Sequence, residues 1–142
     1  RTDRMVEILN NRDMLLGLGD GGAHVDMLCD SGYPTYLLGT WVREQGALSL
    51  EEGVRRLTTD PADFFGIKDR GRLQTGLAAD ITIFDPATIG SSNRGERRFD
   101  LPGGGKRMVM PSRGVECAIV NGAITYADGM LSGAQAGMVL RS

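Results

Sequence analysis

The apolar positions change their spacing along the chain, and that change organises everything else. Met5, Ile8 and Leu9 share one stripe of a first helix, with Thr2 as N-cap, Asp3 in the first turn and Asn10-Asn11 at its C-terminal turn. Met14 to Leu18 is then an unbroken apolar run of strand length. A run without alternation predicts a strand buried on both faces, as in a parallel sheet covered by helices. It opens into Gly19-Asp20-Gly21-Gly22-Ala23-His24-Val25, a loop whose glycines let backbone approach a ligand. Pro34 starts a second helix with Leu37, Leu38, Trp41 and Val42 on one face, closed by Gly46. Ser49 and Glu52 form a capping box for the next helix, with Val54 and Leu57 on its core side. Asp60-Pro61 predicts a short helix through Phe64 and Phe65 that stops at Gly66.

Beyond Gly66 the period becomes two. Arg72-Leu73 and Asp80 to Phe84 read as strands separated by a turn at Thr75-Gly76. Val115 to Val120 and Ala123 to Tyr126 flank Asn121-Gly122, a strong hairpin signal, and Asp128-Gly129 is a further turn. Pro86 to Gly114 is expected to be the least regular part, with the charged run Arg94 to Arg98 as a solvated loop. The predicted division is α/β over residues 1–67 and mostly β over 68–142, with the hairpin at 115–126.

Composition narrows the function classes. The chain has 142 residues and a net charge of −2, so no basic field is present to hold a nucleic-acid backbone. No apolar run approaches the roughly 20 residues of a membrane-spanning helix. Two cysteines, Cys29 and Cys117, are too few for a disulfide framework, so the expected compartment is the reducing cytoplasm. Both are expected to be small buried thiols. Glycine is abundant at 21 residues, and its placement among patterned apolar segments argues for tight turns. The chain opens at Arg1 directly into helical sequence, which reads as a piece of something longer.

Asp20 is the leading chemical candidate. At the C-terminal end of a buried parallel strand, a carboxylate occupies the position where barrel enzymes display catalytic groups. There it could take a proton from an activated water and pass it to a leaving amine. A loop-capping aspartate that satisfies backbone N–H groups is the competing reading. Gly21 and Gly22 would let substrate approach the backbone. His24, the lone histidine, is a candidate substrate contact or metal ligand at the same rim, against the alternative of a hydrogen-bonded loop residue. Metal centres generally need three or more protein ligands, and Asp20, His24 and Cys29 match no common zinc spacing. No metal site is therefore expected within this chain, although Asp20 could add a weak ligand. Gly17 to Gly22 also fits G-x-G-x-x-G, which would suit a dinucleotide, but Asp20 would place a carboxylate inside the pyrophosphate cradle.

Five segments taken in order, GLGDGGAHV (17–25), PTYLLGTWVRE (34–44), SLEEGVRRLTT (49–59), DRGRLQTGLAADITIFD (69–85) and VNGAITYADG (120–129), resemble the C-terminal part of a metal-dependent amidohydrolase. The branch they are most similar to is the N-acyl-D-amino-acid deacylases, and Ser132-Gly133, Gly137 and Leu140-Arg141 extend the likeness. The resemblance implies the last βα portion of a (β/α)8 barrel, followed by the C-terminal part of a small β-sandwich. Such a chain is incomplete as a stand-alone barrel, since a full one takes about 250 residues.

The resemblance also implies hydrolysis of a small-molecule N-acyl amide. In that family zinc polarises the carbonyl and activates water, and Asp20 matches the catalytic aspartate. The metal ligands would lie mostly upstream of this chain, so the chain alone is expected to be inactive. Its expected partner is the remainder of its own barrel. Two segments depart from the family pattern: Ser31 to Tyr36 stands where His-Pro-Arg is common, and Gly22-Ala23-His24 replaces the commoner Ser-Asp-Gly. Two other classes compete, a non-catalytic interaction or self-association module and the dinucleotide-binding domain.

Overall fold

The computed structural model of the chain describes residues 2–17, 19, 23–27, 29, 31–92 and 94–140. Helix α1 (Thr2–Asn10) buries Leu9. The Asn10 amide ends this helix by donating to the Val6 carbonyl at 2.8 Å and to the Ala47 carbonyl at 3.1 Å. Helix α2 (Tyr33–Tyr36) carries Pro34 in its first turn and continues as a π-helix over Leu37–Glu44. The wider winding shows at its end, where the Gln45 N–H donates to the Thr40 carbonyl at 2.9 Å. Gly46 at φ 60° then stops the helix.

Helix α3 (Leu50–Leu57) begins as its sequence predicts, with the Ser49 hydroxyl accepting from the Glu52 N–H at 3.1 Å. Only half of the capping box forms. The Glu52 carboxylate turns forward to Arg55, at 2.7 and 3.0 Å, instead of back to Ser49. The most buried side chain of α3 is Arg56, which has Asp60 at 3.9 Å, while Val54 and Leu57 are half-buried. Helix α4 (Thr59–Phe64) starts one residue before Asp60, with Thr58 as its N-cap. Asp60 is thereby drawn inside the helix, where its carboxylate receives Arg55.

Leu9, Leu37 and Leu48 form the core of this helical layer, with Leu16, Trp41, Val42, Ala47 and Leu57 packed around them. Trp41 is thus a packing residue, as its helical spacing predicts.

The second half is antiparallel β. Strands β1 (Ile81–Phe84), β6 (Val115–Val120), β7 (Ala123–Ala127) and β8 (Met130–Leu131) form one sheet in the order β1-β6-β7-β8. The β6–β7 turn has Asn121 at φ 47° and Gly122 at φ 82°, the left-handed pair that a two-residue hairpin requires. Strands β2 (Gly90–Ser91) and β5 (Ser112–Arg113) form a short ladder. Strands β3 (Glu96–Leu101) and β4 (Gly105–Val109) form a hairpin.

The β2 ladder docks on the helical layer at Gly39. A Cβ there would stand 2.6 Å from the Ile89 carbonyl oxygen, so only glycine admits the contact. Arg43 donates to the same carbonyl.

Four expectations need correction. Residues 14–17 lie in no strand, and Met14 and Leu15 are exposed. A parallel strand takes its hydrogen bonds from neighbouring strands, and among the described residues every paired strand is antiparallel and lies beyond residue 80. Arg72-Leu73 is a bend and coil without a ladder partner. Residues 86–114, expected to be irregular, supply β2 to β5, and the Arg94 to Arg98 run enters β3 as a solvent-exposed strand. Cys29 and Cys117 are half-buried, not core. Cys117 sits in β6, in a four-stranded sheet that leaves part of its surface exposed.

Candidate functional site

The segment leading to α2 carries the candidate rim. Asp20, Gly21 and Gly22 lie outside the described residues, so the site is built here from Ala23 onward. His24 adopts φ 47°, and its carbonyl accepts from the Met27 N–H at 2.7 Å, closing a turn over 24–27. The His24 side chain is exposed. Further on, the Cys29 sulfur lies 3.1 Å from the Ser31 hydroxyl. The Gly32 carbonyl then accepts from the Thr35 hydroxyl at 3.1 Å and from the Ser91 hydroxyl at 3.3 Å.

A late element holds this early loop. The Met108 N–H of β4 donates to the Val25 carbonyl at 2.7 Å, and Lys106 Nζ stands 3.3 Å from the Asp26 carboxylate. One residue beyond β4, Met110 packs so closely on Gly32 that a Cβ there would meet its side chain at 2.7 Å. Strand β4 therefore meets the 24–27 turn at Val25 and Asp26, and the residue just after it meets Gly32.

The sequence reading did not associate Lys106, Met108 or Asp26 with the site. The contacts join segments far apart in the chain, and no local pattern announces them.

The hairpin is stiffened by its own charges. Arg107 grips Asp100 through two hydrogen bonds at 2.6 and 2.8 Å. The guanidinium holds the Asp100 carboxyl below the ordinary carboxylate range. The carboxylate in turn raises Arg107, with a smaller contribution from Cys29. Cys29 thus lies within the electrostatic reach of β4.

Among the described residues, no group of three or more His, Cys, Asp or Glu side chains converges as a metal site would require. The described residues therefore do not fit a zinc centre by themselves. The dinucleotide reading is also corrected. Residues 23–27 are turns, so the helix N-terminus that would receive a pyrophosphate does not follow the glycine loop.

An open cleft of about 800 Å³ separates the helical layer from the main sheet, lined by Leu38, Val54, Leu57, Ile81, Phe84 and Val115 among others. It is largely apolar, and its lining includes Pro34 and Thr35 but no described residue of the 23–32 segment. No helix among the described residues is long and apolar enough to cross a membrane.

Comparison with known proteins gives a consistent result. A family model described as the amidohydrolase family matches residues 2–126. The chain is 37% identical over 92 residues to an N-acyl-D-glutamate deacylase of Alcaligenes xylosoxydans xylosoxydans, covering 65% of this chain and 17% of that protein. It is 34% identical over 104 residues to a D-aminoacylase of the same organism, covering 73% and 19%. Among solved structures, a D-aminoacylase with a binuclear metal centre superposes with a TM-score of 0.63 at 32% identity, over 77% of this chain and 21% of that one. An N-acyl-D-glutamate deacylase from Bordetella bronchiseptica, complexed with zinc and a phosphonate inhibitor, gives 0.60 at 36% identity, over 76% and 20%. The chain therefore spans less than a fifth of the length of these two curated relatives.

Proposed function

The chain belongs to the amidohydrolase family, and from that premise we propose that it forms the C-terminal part of an enzyme that hydrolyses the amide bond of N-acyl-D-amino acids. In this reading residues 1–67 complete a (β/α)8 barrel and residues 68–142 contribute to a small β-sandwich beside it. The observation that carries the proposal is the ordered set of motifs from Gly17 to Gly129, nearly all of which lies within residues 2–126 that the family model matches. Relatives named for deacylation of N-acyl-D-glutamate and for D-aminoacylase activity support the substrate class.

Asp20 is assigned the proton transfers. Its carboxylate takes a proton from the water whose oxygen attacks the amide carbonyl carbon. It then returns that proton to the amine nitrogen as the C–N bond breaks. Gly21, Gly22 and His24 line the approach of the substrate. The zinc that relatives carry would be held by residues outside the described part of this chain, and Asp20 acts here on the water and the leaving nitrogen only. A cytoplasmic setting suits the two cysteines.

The test is an assay of the complete enzyme that contains this chain, with N-acetyl-D-glutamate, N-acetyl-D-methionine and their L-enantiomers as substrates. Release of free D-amino acid is expected. An enzyme that cleaves neither D-substrate overturns the reading.

A second reading, an interaction module, draws on the exposed apolar side chains Phe64, Phe65, Leu73 and Leu131. Self-association without any amide hydrolysis by the complete enzyme would favour it.

A further inference from the structure

Three contacts tie residues 25–32 to β4 and the residue that follows it, and they are of different kinds. The first is a backbone hydrogen bond, Met108 N–H to the Val25 carbonyl at 2.7 Å. The second is an ion pair, Lys106 to Asp26 at 3.3 Å. The third is side-chain packing of Met110 on Gly32.

The geometry of β4 makes the first contact available. Met108 faces Arg97 in the hairpin register, and its N–H points out of the hairpin, where it serves Val25 and no residue of β3. Strand β4 is therefore an edge whose outward Met108 N–H is satisfied by the loop, a common way to cover an exposed strand edge. Val25 and Asp26 sit inside the turn that His24 opens and Met27 closes. Fixing the Val25 carbonyl and the Asp26 carboxylate fixes the plane of that turn.

We propose that Met108 and Lys106 are positioning residues: the β3–β4 hairpin clamps the 24–27 turn and so holds His24 at the substrate rim of the proposed enzyme. The proposal rests on the deacylase reading for its consequence in catalysis, but its geometric content concerns described residues only. Neither residue touches substrate in this scheme. Both act through the loop. A group that positions substrate and drifts from its working geometry costs rate far out of proportion to the displacement. A clamp of this kind is therefore expected to appear in kcat and hardly in overall stability.

The complete enzyme provides the test, through four variants. Met108→Pro deletes the outward N–H while leaving the β3-facing ladder bonds in place, and edge strands tolerate proline. Met108→Ala keeps the N–H and serves as its control. Lys106→Met deletes the ion pair and Lys106→Arg restores it. The expected result is a fall in kcat of about tenfold for Met108→Pro, the scale of one hydrogen bond, with KM changed much less and Met108→Ala close to wild type. Lys106→Met is expected to lose about two- to fivefold, as for an exposed pair, with recovery in Lys106→Arg.

Amide hydrogen exchange across residues 23–27 is measured on the same proteins. Faster exchange there in Met108→Pro supports the clamp whether or not the enzyme deacylates, so the two readings stand or fall separately. Wild-type exchange in Met108→Pro, or an unchanged kcat in an active enzyme, overturns the proposal. If Met108→Pro does not fold, the Lys106 pair decides: equal kcat in Lys106→Met and Lys106→Arg overturns it.

Discussion

The Arg70 guanidinium donates to the side-chain carbonyl of Asn121 at 2.8 Å, joining the connection after the helical layer to the tip of the β6–β7 hairpin. Asn121 is occupied on every side. Its backbone N–H donates to Asp80 at 2.7 Å, its amide donates to the Ala136 carbonyl at 2.6 Å, and Arg70 pairs with Asp80 at 3.0 Å. One residue thus supplies both the left-handed turn geometry and the junction of three chain segments.

Substitutions at Asn121 should separate these two roles. Asn121→Gly keeps the φ of 47° without strain and loses only the side-chain bonds, for a cost of about 1–2 kcal/mol. Asn121→Ala adds the left-handed penalty and should lie about 1 kcal/mol lower still. Urea unfolding of the two variants measures the difference. Equal stabilities would mean that the turn conformation carries no cost here.

Gly39→Ala tests the contact between the helical layer and the β2 ladder. The added Cβ would meet the Ile89 carbonyl oxygen at 2.6 Å, inside van der Waals contact, with backbone on both sides. A loss of about 1–3 kcal/mol is expected, the range of overpacking in a closed site. An unchanged melting temperature would show that this junction yields.

Asp20→Asn in the complete enzyme should keep the bound metal and lose on the order of 10²–10⁴ in kcat, the scale of a general acid–base group. Metal content by elemental analysis and turnover on an N-acyl-D-amino acid are measured together. A normal rate would return Asp20 to the role of a loop cap.

Acid should weaken the fold through its hydrogen-bonded carboxylates. Asp85 is held below its ordinary range first by the Ala87 N–H and then by the Thr88 hydroxyl, and Asp100 by Arg107. Between the folded and unfolded values, the unfolded chain binds more protons, so stability rises with pH there. The contribution is complete above the unfolded pKa of about 4 and is lost as pH falls through the lowered folded value. Asp85→Asn and Asp100→Asn should each flatten the dependence of unfolding free energy on pH between about 2 and 5, relative to the native chain. Parallel curves would show that these carboxylates titrate alike folded and unfolded.

Local signals were readable where the chain satisfies itself locally. Ser49 caps α3 through its neighbour's N–H, and Asn121-Gly122 turns a hairpin because two adjacent residues hold the left-handed geometry. The Met14 to Leu18 run failed for the opposite reason: apolar continuity states that a segment should be buried, but the ladder that makes it a strand belongs to its neighbours. Strand β3 failed because Glu96-Arg97-Arg98 is solvent-exposed and shows no apolar alternation. At the candidate site, the glycine loop and His24 were identifiable by residue type. The partners of Val25 and Asp26 were not, since β4 reaches them from the other end of the chain.

That separation sets an order of events during synthesis. The turn over His24 to Met27 leaves the ribosome before β4, and its clamp is not available until Met108 has followed and paired with β3. Contacts so distant in sequence close late, after the local helices and hairpins have formed. The 24–27 turn is thus made before the strand that fixes it, and a chain stopped short of β4 would leave that turn untethered.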